Sequence, residues 1–168
     1  MKKTISLLFA FLGLIALAAL TLTATTQAAT SATVNATVTV QNISVSVSDG
    51  TVSYGTLAVN SSQDTTASGL SDTQTATNDG NIAEDLQIRG QDTGNWTLAA
   101  AAGADQYVHQ FSTNAGSSWT ALTTNNQLLS DALASSGDQD FDLKITTPTS
   151  TSVFTEQTVS VTVVATAN

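Results

Sequence analysis

Apolar and polar residues alternate along most of the chain after residue 30. The segment "NISVSVSDGTVSYGTLAV", residues 42–59, shows this pattern most clearly and carries an Asp-Gly pair in its middle. If Asp49 and Gly50 form a two-residue type I′ turn, Val47 faces Val52 on the same side of the two strands. Because apolar side chains then meet across the pair, the pattern predicts a β-hairpin.

The phase of this alternation slips just upstream of the predicted hairpin. Apolar residues occupy even positions between residues 34 and 40 but odd positions between residues 43 and 47. The slip lies at Gln41-Asn42, where it predicts either a β-bulge or a short break. The N-terminal stretch Ser31–Val40 is therefore expected to be a separable strand.

Several short segments downstream also have the pattern of β-strands. They are "TQTAT" and "EDLQIRG" around an Asn-Asp-Gly-Asn turn, "NWTLAAA" with Trp96 and Leu98 on one side, "QYVHQF" and "SWTAL" around a longer loop, "DFDLKI" with Phe141, Leu143 and Ile145 inward, and "TVSVTVVATA". Residues 60–72 are predicted to be a loop, and residues 123–137 are the least regular part, with one helical turn around Leu128-Leu129. Pro148 ends the "DFDLKI" strand because it cannot donate to a ladder.

Eight to ten short strands with turn residues between them predict an all-β fold, an antiparallel immunoglobulin-like β-sandwich. A helix over residues 98–105 is the one local alternative, but it is short and Gly103 interrupts it. No repeat of fixed length is visible, which argues against a solenoid.

The N-terminus has the three parts of a secretory signal: Met1-Lys2-Lys3, an uncharged apolar run over residues 5–22, and a Thr/Ala-rich exit. Cleavage after Ala28 is expected, with Ala29 nearly as good. This divides the chain into a signal peptide, residues 1–28, and a single β-sandwich domain, residues 29–168. The alternative is an uncleaved membrane anchor, because the apolar run approaches the length of a span. We expect a secreted protein, extracellular or at the cell surface.

Composition and charge limit the classes of partner that the protein can bind. The chain carries 13 acidic and 4 basic residues, and loss of Lys2 and Lys3 with the signal would change the net charge from −9 to −11. Such acidity excludes nucleic acid, and nothing after the signal is expected to bind a membrane. The sequence has no cysteine, so the domain is expected to fold without disulfides.

Candidates for chemistry are few. His109 is the single histidine and has no cysteine to complete a metal site, so we expect a half-exposed strand residue. No nucleophile elbow and no Gly-rich phosphate loop is present. Asp138, Asp140 and Asp142 alternate with apolar residues, which favours the solvated edge of a strand over a calcium site. The sequence therefore predicts a protein that is not an enzyme and has no cofactor and no metal.

The aromatic residues are the remaining candidates for a contact surface. Trp96 and Phe141 are expected in the core of a sandwich of this size, whereas Trp119, beside a Ser/Gly-rich loop, is the better candidate for a surface position.

Three segments, "VSYGTLAV" (52–59), "TGNWTLAAAAG" (93–103) and "TVSVTVVATA" (158–167), together resemble the WxL-type domains of secreted bacterial surface proteins. Trp96-Thr97-Leu98 matches the first Trp-X-Leu of that family, and the C-terminal segment has no second one. The resemblance implies a β-rich module attached noncovalently to the cell wall, with Trp96 and Leu98 as wall or surface contacts. Trp119 joins them as a candidate contact because of its place beside the Ser/Gly-rich loop. Other segments, such as "ATNDGNIAEDLQIRG", resemble strand pairs of immunoglobulin-like surface modules.

Two functions follow as expectations. The first is a noncatalytic surface module that binds cell-wall polymer or another surface protein. The second is a structural subunit of a filament or surface layer, a homo-oligomer in which Ser31–Val40 pairs with an open edge of a neighbouring subunit.

Overall fold

A computed structural model describes residues 29–168, so the predicted signal peptide lies outside the described residues. The chain divides into two compact units, Met1–Val38 and Thr39–Asn168. Of the first unit, residues 29–38 are described; they form no strand and their side chains are exposed. Nothing between residues 29 and 168 forms a helix with the length and hydrophobicity of a membrane span.

The second unit is all-β, as predicted, and its strands form two sheets. The strands are β1 (Val45–Val47), β2 (Ser62–Asp64), β3 (Gln74–Asn78), β4 (Glu84–Gly90), β5 (Thr97–Leu98), β6 (Gln106–Ser112), β7 (Thr120–Ala121), β8 (Gln127–Leu133), β9 (Asp138–Thr146) and β10 (Val161–Ala167). No described residue is helical, so the alternative helix over residues 98–105 is wrong.

The larger sheet has seven strands in the order β1-β3-β9-β6-β5, with β2 also on β9 and β7 on β6. β2 and β3 pair with successive parts of β9 and run in the same direction along it. Residues 65–73 form a loop that connects the end of β2 to the start of β3. The smaller sheet is antiparallel with the order β10-β4-β8.

The hydrophobic core lies between the two sheets. Leu86 and Ile88 of β4 pack with Phe111 of β6 and with Phe141 and Leu143 of β9. The inward positions of β9 are those that the alternation predicted, and β9 ends at Thr146, shortly before Pro148. The predicted pairing of the segments around residues 106–111 and 118–122 is also present, as β6 with β7.

The predicted hairpin around Asp49-Gly50 is wrong in its second arm. Both turn residues have positive φ, 61° and 69°, as a type I′ turn requires. Yet β1 pairs with β3, placing Val47 opposite Ala76, and residues 51–59 join no strand. The reason is competition: the backbone N–H of Ser48 donates to the carbonyl of Thr75, which extends the β1–β3 ladder into the turn.

Two irregular regions also differ from the prediction. Residues 127–133, expected to contain a helical turn, form β8 on the edge of the smaller sheet. Bulges in its pairing with β4 and a positive φ at Ala132 break the alternation that would have identified a strand. The predicted loop 60–72 contains the short strand β2.

The break predicted at Gln41-Asn42 is present. β1 begins only at Val45, and Asn81 binds the chain upstream of it. The backbone N–H of Asn42 donates to Oδ1 of Asn81 (2.8 Å), and Nδ2 of Asn81 donates to the carbonyl of Val40 (2.8 Å).

Candidate functional site

A groove of about 1160 Å³ opens over the inner face of the larger sheet. Phe141, Leu143 and Ile145 of β9 form its floor. Its walls are two extended segments, residues 51–59, referred to below as the first wall, and residues 151–160, the second wall. The groove is larger than the roughly 300–1,000 Å³ of a typical small-ligand pocket.

Neither wall is part of a sheet. No backbone–backbone hydrogen bond joins residues 51–59 or 151–160 to another described segment. Side chains hold them instead: the hydroxyl of Thr147 donates to the carbonyl of Ala58 (2.7 Å), and the hydroxyl of Thr93 donates to Oε1 of Gln157 (3.0 Å). The groove is therefore bordered by backbone amides and carbonyls that lack the ladder partners of a normal sheet.

A strand edge also borders the groove. Val161 and Val163 of β10 line it, and β10 pairs with β4 on its other side. Among the described strands, none pairs with the other edge of β10. Such an edge presents a row of backbone donors and acceptors to an incoming chain.

The groove is nearly uncharged. Glu156 is the one acidic residue among the described lining residues, and no lysine or arginine of the described chain lines the groove. Phe154, on the second wall, is 84% exposed, which is unusual for so large an apolar side chain. The chemistry of the groove therefore suits an uncharged, partly apolar occupant.

His109 and Tyr54 meet in the floor of the groove. His109 is 1% exposed, so the predicted half-exposed position is wrong. The first wall covers it: the hydroxyl of Tyr54 lies 2.9 Å from Nε2 of His109, and the two rings meet edge to face. Burial lowers the pKa of His109 to about 4 and raises the pKa of the Tyr54 hydroxyl, with smaller contributions from Asp72 and Asp64. Both side chains are neutral at pH 7, and Nδ1 of His109 has no partner among the described residues.

The three predicted contact residues are not in one place. Trp96 lines the groove, half-buried rather than in the core, and its indole N–H donates to the hydroxyl of Thr151 (3.3 Å). Leu98 packs against the core. Trp119 does not line the groove; it is half-buried, and Nζ of Lys144 lies 5.6 Å from its ring centroid.

The carboxylates of β9 are used within the fold. Asp138 and Asp140 are exposed, as predicted, and accept hydrogen bonds from Thr77 and Thr75 at 2.7 Å. Asp142 is not on a solvated edge: it is 3% exposed. The loop 65–73 covers Asp142, and the hydroxyls of Thr65 and Thr73 donate to its Oδ1 at 3.1 and 2.7 Å. No group of three or more His, Asp or Glu side chains suited to a metal ion occurs within residues 29–168.

Sequence reasoning missed the groove. Val52 and Tyr54 turn towards the protein as the alternation requires, but the pattern breaks at Gly55, which has a φ of 67°, and the next covered residue is Leu57. Periodicity reports which face of a segment is covered, but it does not report whether the backbone has a neighbour. No protein-family model, no curated protein and no solved structure matches the chain.

Proposed function

We propose that the chain is an exported, noncatalytic module of the cell surface that binds another surface protein through the groove. The partner contributes one extended segment, which enters as an additional β-strand. The observation that carries the proposal is the pair of walls, residues 51–59 and 151–160, without backbone–backbone hydrogen bonds to other described segments.

An added strand would supply hydrogen-bond partners for the unpaired backbone groups around the groove. An inserted strand pairs its backbone with a free edge and places alternate side chains against apolar neighbours. Val161 and Val163 belong to a strand with an unpaired edge, and the partly exposed Val52, Val153 and Phe154 of the walls offer the apolar contacts. The groove also exceeds a typical small-ligand pocket in volume, and its lack of basic residues disfavours an anionic polymer.

The sequence supports export and an immunoglobulin-like arrangement of the strands. Residues 1–28 have the pattern of a signal peptide. The two packed sheets are consistent with a β-sandwich. The resemblance of Trp96-Thr97-Leu98 to a WxL-type domain points to the wall as the location. Attachment to wall polymer itself has less support, because Trp96, Leu98 and Trp119 do not form one surface.

Retention on envelopes tests the proposal. The protein, expressed with residues 1–28 and collected after export, is mixed with envelopes of the producing organism before and after protease treatment, and bound protein is measured by sedimentation. Phe154→Asp places a charge in the groove at an exposed position. Leu128→Asp is the matched control, since Leu128 is 60% exposed on β8 and lies outside the groove.

We expect retention on intact envelopes, loss of retention after protease treatment, and about tenfold weaker retention of Phe154→Asp than of Leu128→Asp. Retention that survives protease treatment would assign the module to wall polymer instead. Equal retention of the two variants would remove the groove from the interaction. Either result rejects the proposal.

A further inference from the structure

The N-terminal segment Ser31–Val40 has the features that the groove requires of an occupant. Every even position from Ala32 to Val40 is apolar and every odd position is Ser, Thr or Asn. No residue of the segment is charged. Alternation this strict is the signature of a strand with one buried face.

That face is uncovered. Val34 is 90% exposed and Val38 is 91% exposed, and residues 29–41 make no backbone–backbone hydrogen bond among the described residues. A row of exposed valines along an extended backbone is the kind of apolar surface that soluble proteins reserve for an interaction. The segment thus has the residue pattern of a strand but pairs with no sheet, and β10 beside the groove has an edge with which no described strand pairs.

We infer that the strand that fills the groove is Ser31–Val40 of a second copy of this chain. This inference rests on the proposed strand-accepting function of the groove and names its partner. Each copy then donates one strand and accepts one, and we expect the copies to join head to tail in an open filament rather than a closed ring.

Length and charge agree with this pairing. Ten residues in a strand extend about 33 Å, and the first wall, residues 51–59, is nearly the same number of residues long. Two copies without residues 1–28, each with 13 acidic and two basic residues and so a net charge of −11, repel one another over most of their surface. The uncharged segment and the groove, with Glu156 as its one described acidic residue, are where like copies can touch.

Hydrogen bonds fix the chain immediately after the segment. The backbone N–H of Asn42 donates to Oδ1 of Asn81, and that of Ser44 donates to Oε1 of Glu84 (2.9 Å). The backbone N–H of Asp79 donates to the carbonyl of Ser44 (2.8 Å). These bonds hold residues 42–44 against the turn after β3 and the start of β4, and pairing of Ser31–Val40 with a second copy leaves them intact.

Disulfide trapping tests the inference, because the sequence has no native cysteine. The double variant Val38→Cys/Phe154→Cys places one thiol on the apolar face of the segment and one in the groove. Mild oxidation of the secreted protein should produce a ladder of covalent multimers on a non-reducing gel. The control Val38→Cys/Leu128→Cys keeps the first thiol and moves the second outside the groove.

A ladder from the groove pair that the control does not give supports the inference. A disulfide-linked monomer would show that the segment fills the groove of its own chain. Absence of both products, together with loss of envelope retention in Phe154→Asp, would leave the groove to a different protein. A disulfide-linked monomer, or the absence of both products, overturns the inference but not the proposed function. The proposed function is overturned by the envelope experiment, if the Phe154 and Leu128 variants are retained equally or if retention survives protease treatment.

A matched pair of charge variants provides the second measurement. Val34→Asp/Val38→Asp places two charges on the apolar face, and Thr33→Asp/Thr37→Asp places the same charges on the polar face. Electron microscopy of the wild type should show filaments, which the first variant loses and the second retains. Filaments in neither wild type nor variants, or in both variants alike, would contradict the inference.

Discussion

The hydroxyl of Tyr54 lies 2.9 Å from Nε2 of His109, although the two residues are 55 positions apart. Tyr54 belongs to the first wall, which has no backbone–backbone hydrogen bond to another described segment, and His109 belongs to the middle of β6. The contact therefore links the wall of the groove to its floor, and the stability of the wall depends on side chains rather than on a ladder.

Loss of the Tyr54 hydroxyl should be costly. In Tyr54→Phe, both ring nitrogens of His109 are buried without a described partner, so we expect a loss of about 1–3 kcal/mol in the free energy of unfolding. Urea denaturation measures it. The double variant Tyr54→Phe/His109→Phe should lose less than the sum of the two single variants, because the second change removes the group that the first left unsatisfied. Additive losses would show that the hydrogen bond contributes nothing.

Acid should weaken the fold through His109. Its pKa is about 4 in the folded protein and about 6.5 when unfolded, so between these values the unfolded chain binds more protons. The contribution of His109 is therefore constant above pH 6.5, falls as the pH falls from 6.5 to 4, and amounts to about 3 kcal/mol over that range. Urea denaturation of wild type and His109→Gln at several pH values isolates it. Parallel pH profiles for the two proteins would contradict the buried, neutral imidazole.

The two kinds of aspartate on β9 should differ in their effect on stability. Asp142→Ala leaves the buried hydroxyl of Thr65 and the hydroxyl of Thr73 without their acceptor, and we expect a loss of about 3 kcal/mol. Asp140→Ala affects one exposed hydrogen bond, and a change within about 0.5 kcal/mol is expected. Thermal or urea denaturation of both variants measures the difference. Equal losses would mean that the loop 65–73 does not depend on Asp142.

The contact between Leu98 and β4 can be tested by replacing Gly90 of β4 with alanine. A Cβ at Gly90 would lie 2.7 Å from Cδ2 of Leu98 and 3.3 Å from Cβ of Leu122, so Gly90→Ala should cost about 1–3 kcal/mol. Gly94→Ala is the control, because a Cβ there has no described neighbour within 4 Å, and its effect should stay within about 0.5 kcal/mol. Chemical denaturation compares the two. A neutral Gly90→Ala would show that Leu98 does not pack closely on β4.

Where local pattern and tertiary packing agree, the fold was predictable. The inward faces of β9 and the pairing of β6 with β7 follow from alternation and turn residues, and both are present. β8 was missed because its bulges, and a φ of 48° at Ala132, depend on pairing with β4 some 40 positions earlier. The arms of the Asp49-Gly50 turn were misassigned because β3, a distant segment, is the better partner of β1.

The candidate site was harder to predict than the fold. His109 looked like an ordinary strand residue, and its burial depends on Tyr54 and on a wall that a sequence pattern does not place. The segment Ser31–Val40 was identified from its alternation and from the phase slip that follows it. The groove and the unpaired edge of β10 could not be predicted, because the alternation of apolar and polar residues does not show whether a strand has a neighbour.

The loop 65–73 connects β2 to β3, which pair with successive parts of β9, and it offers a site for a tag. Its ends are fixed by Asp142, but residues 67–71 at its tip are exposed and contribute to neither ladder. Exposed tips of this kind tolerate insertions. An epitope tag placed after Ser68 would therefore label each molecule without altering the pairing of β2 and β3 with β9.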